Sequence, residues 1–341
     1  TFGQPYSIDN HYEYWMVASS YLAYGGTMQV IRADDFNTLT GVGLKNAFVG
    51  AASSIRIKSD THYNQLGYDD NTITGVTVAS KTPGTFANGI RISIIDAKAD
   101  QVLTGPTAAV GAGVTQSVAG RVIAGAGGTS VLDGFLKGIV TGGTAGAPEV
   151  KVLQHISNSG TVTNVDYQQG GVYCFKTGTI SIEGAGTNFG AGSTGNVTAA
   201  TDWFSTQEIE LTTKDGNGNP IKLEWDALAD APGTSSFAAS RGGRFDELHV
   251  VVIDDKGTIT GNAGTILEKH LNLSKAKDAE YSVGSTAYWR KYLATNSKYV
   301  YGGSSPAGIT TSGFTDGTAT AIGNLDADSG WDQDADGVNF G

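Results

Sequence analysis

The chain has 341 residues, of which 49 are glycine, about twice the usual ~7% share. Charged residues make up 16%, and Asp and Glu outnumber Lys and Arg by 33 to 22, for a net charge of −11. That balance repels phosphate and argues against non-specific binding to nucleic acid or anionic membranes, while a single cysteine excludes an internal disulfide framework and a cysteine-based metal cluster.

With 39% hydrophobic residues the chain has material for packed cores, and its length suits two or three domains. No run approaches the ~18 apolar residues of a membrane span. Thr1–Pro5 carries no basic region followed by an apolar run, so no signal peptide is expected there, and the chain reads as processed or as a fragment.

The first predicted element is a helix. Ser7 or Asp9 is its candidate N-cap, and Tyr12, Trp15, Met16, Ser19, Leu22 and Ala23 recur at helical spacing. Gly25-Gly26 supplies the left-handed residue that ends it, and 28–32 follows as a short strand. Alternation predicts strands at 55–58 and 73–79. Turns at 82–84 and 88–89 precede a strand at 90–95, with Ile90, Ile92 and Ile94 on one face.

Composition then changes. From Val102 to Pro148 the only charged residues are Arg121, Asp133 and Lys137, and Gly184–Ala200 carries none. Interleaved Val and Ile favour β-structure with many turns over a flexible low-complexity segment, since Gly is a poor helix former. Val172–Phe175 is read as a strand with Cys174 as a small core hydrophobe. Beyond 202, two strands at 208–211 and 221–225 flank a turn-rich 215–220, which predicts a hairpin. Leu248–Ile253 is a continuous apolar run, expected to be a strand buried on both faces, and 254–257 turns the chain. Short helices are predicted at 265–271, 274–279 and 288–294, and a strand at 298–301. The tail from Asn324 is acidic and Gly-rich.

The chemistry-bearing residues form no recognisable constellation. His11, His62, His155, His249 and His270 fall in no metal-binding spacing and sit beside no nucleophile signature. His249, inside the apolar run, is expected to be a satisfied core histidine. Asp34-Asp35, Asp69-Asp70 and Asp254-Asp255 flank turn signals and are expected to be solvated. Asp332, Asp334 and Asp336, closed by Gly337, match the opening of a calcium loop, but the Glu expected at its twelfth position would fall past Gly341; an acidic solvated linker is the expectation. No phosphate-binding loop is present, and the sequons at Asn196 and Asn272 are at chance level. No catalytic, cofactor-binding or metal residue is assigned, no cofactor is expected, and the chain is not read as an enzyme.

Three sets of residue strings carry a resemblance. Thr1-Phe2-Gly3-Gln4-Pro5 precedes the aromatic helix 12–24 and Met28-Gln29-Val30-Ile31-Arg32-Ala33. Ile57-Lys58-Ser59-Asp60 with Tyr63-Asn64 leads to Pro83-Gly84-Thr85-Phe86-Ala87-Asn88-Gly89-Ile90-Arg91-Ile92. The most specific set runs from Asp246 to Asp254, then Gly264–Lys269, Leu273–Ala276 and Ser297–Val300. In this order the strings resemble the contractile-tail sheath proteins of T-even-like and cyanophage-like myoviruses, over most of the chain outside the Gly-rich stretch. Departures are the family's extended N-terminal arm and large C-terminal domain, so the chain reads as a central fragment.

The residues read as an α+β, multi-domain protein with mixed sheets and short flanking helices, in which composition alone makes the Gly-rich stretch an inserted β-domain that the resemblance does not cover. The expected division is 1–33 as the N-terminal piece of the sheath core, 34–102 with 200–341 as a middle α+β domain, and 103–199 as an inserted, mainly β, protruding domain. The implied function is mechanical: a virion structural subunit, made in the bacterial host cytoplasm. It would form stacked hexameric rings around the tail tube and contract to drive that tube through the host envelope. Implied partners are other sheath subunits, the tail tube protein, the baseplate and the tail terminator, without nucleic acid or membrane insertion. Without the family's arms, this chain is expected to be monomeric. Two other classes stay open: a β-rich virion-surface adhesin or glycan-binding module, and a hydrolase with a carboxylate pair.

Overall fold

The computed structural model describes residues 12–29, 45–49, 55–65, 76–125, 128–183, 192–276 and 278–303. Strand far outweighs helix among these residues, in several sheets with few short helices, a β-rich α+β fold. In chain order they run α1 (Tyr12–Ala23), β1 (Asn46–Val49), α2 (Asp60–Gln65), β2 (Val78–Pro83), β3 (Ile90–Asp96), β4 (Gln101–Thr104) and β5 (Gly113–Ser117). Then come β6 (Val122–Gly125), β7 (Gly128–Val131), β8 (Phe135–Thr144), β9 (Ala147–Ile156), β10 (Val162–Asn164), β11 (Gly178–Ile182), β12 (Ser193–Val197) and β13 (Ala199–Asp202). The remainder is β14 (Glu208–Lys214), β15 (Pro220–Glu224), α3 (Ser236–Ala239), β16 (Glu247–Asp254), β17 (Thr265–Ser274), β18 (Glu280–Ser282), β19 (Ser285–Thr286), α4 (Trp289–Asn296) and β20 (Val300–Gly302).

Two compact units emerge from the contacts. One comprises the described residues through Ile92 with Val251–Glu268 and 290–303; the other comprises those of Ser93–Val250 and Lys269–Trp289.

In the first unit α1 ends as expected. Gly25 takes φ +80°, and its N–H donates to Leu22 C=O at 3.0 Å. Strands β1, β2 and β20 form an antiparallel sheet with β2 in the middle. Tyr63 stacks on Tyr301 with ring centroids 4.4 Å apart, and its hydroxyl donates to Gly302 C=O at 2.7 Å. The Lys81 ammonium closes the end of α4 by donating to the carbonyls of Ala294 at 2.6 Å and Ser297 at 2.7 Å.

The expected strand at 55–58 is corrected to an irregular segment. Its alternation is real, since Ile55 and Ile57 are buried between exposed or half-buried Arg56 and Lys58. A side chain takes over part of the ladder: buried Asn46 accepts from Ile57 N–H at 2.7 Å and donates to Ser80 C=O at 2.7 Å. The expected strand at 73–79 is met only by β2 from Val78, residues 73–75 lying outside the described residues. Residues 28–29 are irregular, and the rest of that predicted strand also lies outside them.

In the second unit the Gly-rich stretch supplies an eight-stranded sheet in the order β12-β11-β5-β8-β9-β4-β13, with β10 paired to β9. Its two long central strands, β8 and β9, are buried on both sides. Leu136, Val140, Val150 and Val152 join a core with Leu103, Phe175 and Ile180, while Ile139 and Leu153 join another with Phe245 and Ala276. Gly138 in β8 is required by a close approach: a Cβ there would meet Lys151 C=O at 2.4 Å and the Phe175 ring at 2.8 Å.

The buried run 248–253 forms the centre of β16 with no residue more than 1% exposed, as its composition predicts. The hairpin of β14 and β15 forms around 215–220. Two predicted helices are wrong. Residues 265–271 belong to strand β17, which neighbours β16 in the order β17-β16-β3, Ser274 is its last residue, and the described residues 275–276 and 278–279 after it are not helical. Pairing along β16 overrides local periodicity, and Asn272 takes φ +55°, outside helical space. Val172–Phe175 is likewise irregular and not a strand, although Cys174 is buried there.

Candidate functional site

Among the predicted sites, Asp34-Asp35, Asp69-Asp70, His11 and the string containing Asp332, Asp334 and Asp336 lie outside the described residues. Asp254-Asp255 is placed, and the expectation of solvated carboxylates is overturned: both residues are buried. Asp254 Oδ2 accepts from the N–H groups of Ile259 at 2.9 Å and Thr260 at 2.7 Å and from the Thr260 hydroxyl at 2.9 Å. Burial opposes ionisation here, yet these donors hold the carboxyl below its ordinary range. Its Oδ2 thus braces the loop at 259–260.

His249 is buried, with both ring nitrogens engaged. Nδ1 accepts from Asn272 N–H at 3.0 Å, which makes Nε2 the protonated nitrogen donating to Asp230 C=O at 2.8 Å. With both ring nitrogens satisfied inside the strand, it is a core histidine. His155, in β9 opposite Leu136 of β8, is nearly buried, with Nε2 2.7 Å from Asp133 C=O. Among the described residues no group of three His, Cys, Asp or Glu is placed to hold a metal ion.

Two features stand out instead, a cleft that no sequence signal announced and the exposed face of the predicted helix α1. The first is a cleft of about 610 Å³ in the second unit. Its floor is the irregular segment 174–177, which side chains hold in place of a ladder. Gln101 and Gln116 each pair with a peptide group there, and Arg121 donates to Val172 C=O at 2.8 Å and Cys174 C=O at 2.6 Å. Asp202, at the end of β13, stands on the wall. Its Oδ2 accepts the Tyr167 hydroxyl at 2.9 Å, and its Oδ1 accepts Ser205 N–H at 2.9 Å. Burial, followed by the bond to Asp202, drives the Tyr167 phenol far above its ordinary value, so it remains a donor at any physiological pH.

Tyr167 and Asp202 also border a second cavity of about 310 Å³ that reaches Asp100. Enclosure pushes the Asp100 carboxyl up to about 6; the Val152 N–H bond at 2.6 Å and the charges of Lys151 and Arg244 oppose that rise, and Asp202 reinforces it. No motif announced this cluster, because Asp100, Tyr167 and Asp202 are distant in sequence and meet only through the pairing of β4 with β13 and β9.

The second feature is α1. Tyr14 is 76% exposed and Val17 64%, with Met16, Tyr21 and Leu22 about half exposed, and Tyr24 just past the helix end is 93% exposed. A helix this apolar normally buries one face, and α1 leaves these side chains in solvent. Among the described residues no helix is long and apolar enough to cross a membrane. No protein-family model, curated protein or solved structure matches the chain.

Proposed function

We propose that this chain is a structural subunit of a contractile phage tail sheath, assembled as stacked hexameric rings around the tail tube and located in the virion. Contraction of that array would drive the tube through the host envelope. One observation carries the reading. The strings that resemble the sheath family at 83–92, 246–254 and 264–269 contribute to β3, β16 and β17, and these are neighbours in a single sheet. A chance likeness of scattered strings has no reason to converge on one sheet with the buried strand β16 at its centre.

The exposed apolar residues of α1 fit the same reading, since a subunit of an array buries on assembly what the separate chain leaves open. In this proposal the partners are other copies of the subunit, the tube, the baseplate and the tail terminator. The role is mechanical, with no catalytic residue and no cofactor assigned. Negative-stain electron microscopy of the complete gene product, expressed alone, tests it. Striated tubes of uniform diameter are the expected result. Dispersed single particles at high concentration would overturn the sheath assignment.

A further inference from the structure

We propose that the cleft beside Tyr167 and Asp202 binds a neutral, hydroxyl-rich ligand, a short uncharged oligosaccharide. The inference is independent of the sheath proposal, since it rests on this cleft alone.

Size comes first. About 610 Å³ lies within the range of roughly 300–1,000 Å³ typical of ligand sites. Charge then selects the ligand. The lining carries one carboxylate, Asp202, and one ammonium, Lys176, so neither an anion nor a cation finds a net counter-charge. The chain's own −11 further disfavours anions.

The remaining lining is rich in hydroxyls and amides. The side chains of Gln169, Thr177 and Thr201 reach the cleft, are exposed, and are engaged by no other group among the described residues. They can donate and accept at once, as sugar hydroxyls do. Asp202 is aimed before any ligand arrives. The Tyr167 hydroxyl and Ser205 N–H each occupy one of its oxygens, leaving a further lone pair on each for a pair of adjacent hydroxyls. The floor is equally fixed, because Gln101 and Gln116 clamp the peptides of Phe175 and Lys176. A rigid floor, a pre-aimed carboxylate and free hydroxyls make a site that loses little order on binding.

The test is a titration of the full chain with maltotriose, cellotriose and chitotriose, followed by backbone amide NMR, with trigalacturonic acid as the charged control. The expected result is saturable shifts confined to 167–177 and 200–206 with at least one neutral trisaccharide. Thr201→Ala and Gln169→Ala, both exposed positions, should weaken binding about threefold each, and Asp202→Asn about tenfold, as lost neutral and charge-assisted hydrogen bonds imply. Absence of saturable shifts for all three neutral sugars at about 20 mM, a concentration that detects even millimolar affinity, would overturn the proposal. So would shifts outside the cleft, undiminished binding in all three variants, or preference for the charged control.

Discussion

The side-chain amide of Gln101 pairs with the backbone of Phe175 in both directions. Phe175 N–H donates to Oε1 at 2.8 Å, and Nε2 donates to Phe175 C=O at 3.2 Å. Gln116 repeats the arrangement on Lys176 at 2.8 and 2.6 Å, and Arg121 donates to the same Gln116 Oε1 at 2.7 Å. Two glutamines thus act as single rungs of a ladder for a segment that no strand accompanies. Gln101 is buried, so Gln101→Ala strands both peptide groups of Phe175 away from water. The expected cost is about 2–4 kcal/mol of unfolding free energy in urea denaturation. Gln101→Glu should cost nearly as much, because it loses the donor and adds a buried charge.

Asp100 makes stability depend on acidity in an unusual direction. Its carboxyl titrates near 6 in the folded chain, against 3.8 ordinarily, because enclosure and the Asp202 charge disfavour ionisation. Between about pH 4 and 6 the folded chain therefore binds more protons than the unfolded one. This group's contribution must fall as pH rises through that window and then level off. Two pH units correspond to about 3 kcal/mol at most. Asp100→Asn keeps an acceptor for Val152 N–H and should remove the slope, making the variant more stable at pH 7. Denaturation midpoints of both proteins at pH 4.5, 6 and 7.5 check this.

Lys275 and Asp96 form a salt bridge at 3.2 Å with side chains only 2% and 4% exposed. Such a pair contributes little net stability, but each partner alone is an uncompensated buried charge. Asp96→Ala is expected to cost about 3–5 kcal/mol. The double variant Asp96→Leu with Lys275→Met should recover most of that loss in the same denaturation experiment, giving a strongly non-additive cycle.

The exposed side chains of α1 separate assembly from folding. Tyr14→Asp with Val17→Asp removes apolar surface that touches solvent, so the unfolding free energy of the chain should stay within about 0.5 kcal/mol. In the complete gene product the same pair should abolish tube formation under the electron microscope. Tubes of normal length would show that α1 plays no part in association.

Some of this protein was legible in its sequence, for reasons that are local. The apolar run 248–253 could only be a strand covered on both faces; 215–220 could only turn; and Gly25 ends α1 because it alone tolerates φ +80° without strain. Each of those signals lies within a few residues of the feature it produces.

What the tertiary structure alone decided lies across long separations. Residues 265–271 look helical in isolation and become β17 because β16 offers a hydrogen-bonding neighbour. Asp254 and Asp255 look like a solvated turn and are buried, with Asp254 bracing the chain at 259–260. Gln101 finds Phe175 at a distance of 74 residues, and Tyr167 finds Asp202 at 35. Side chains whose partners are set by strand pairing leave no periodic trace in the chain. The cleft and the clamped segment beneath it are therefore products of the sheet, written in residue types that elsewhere would read as ordinary polar surface.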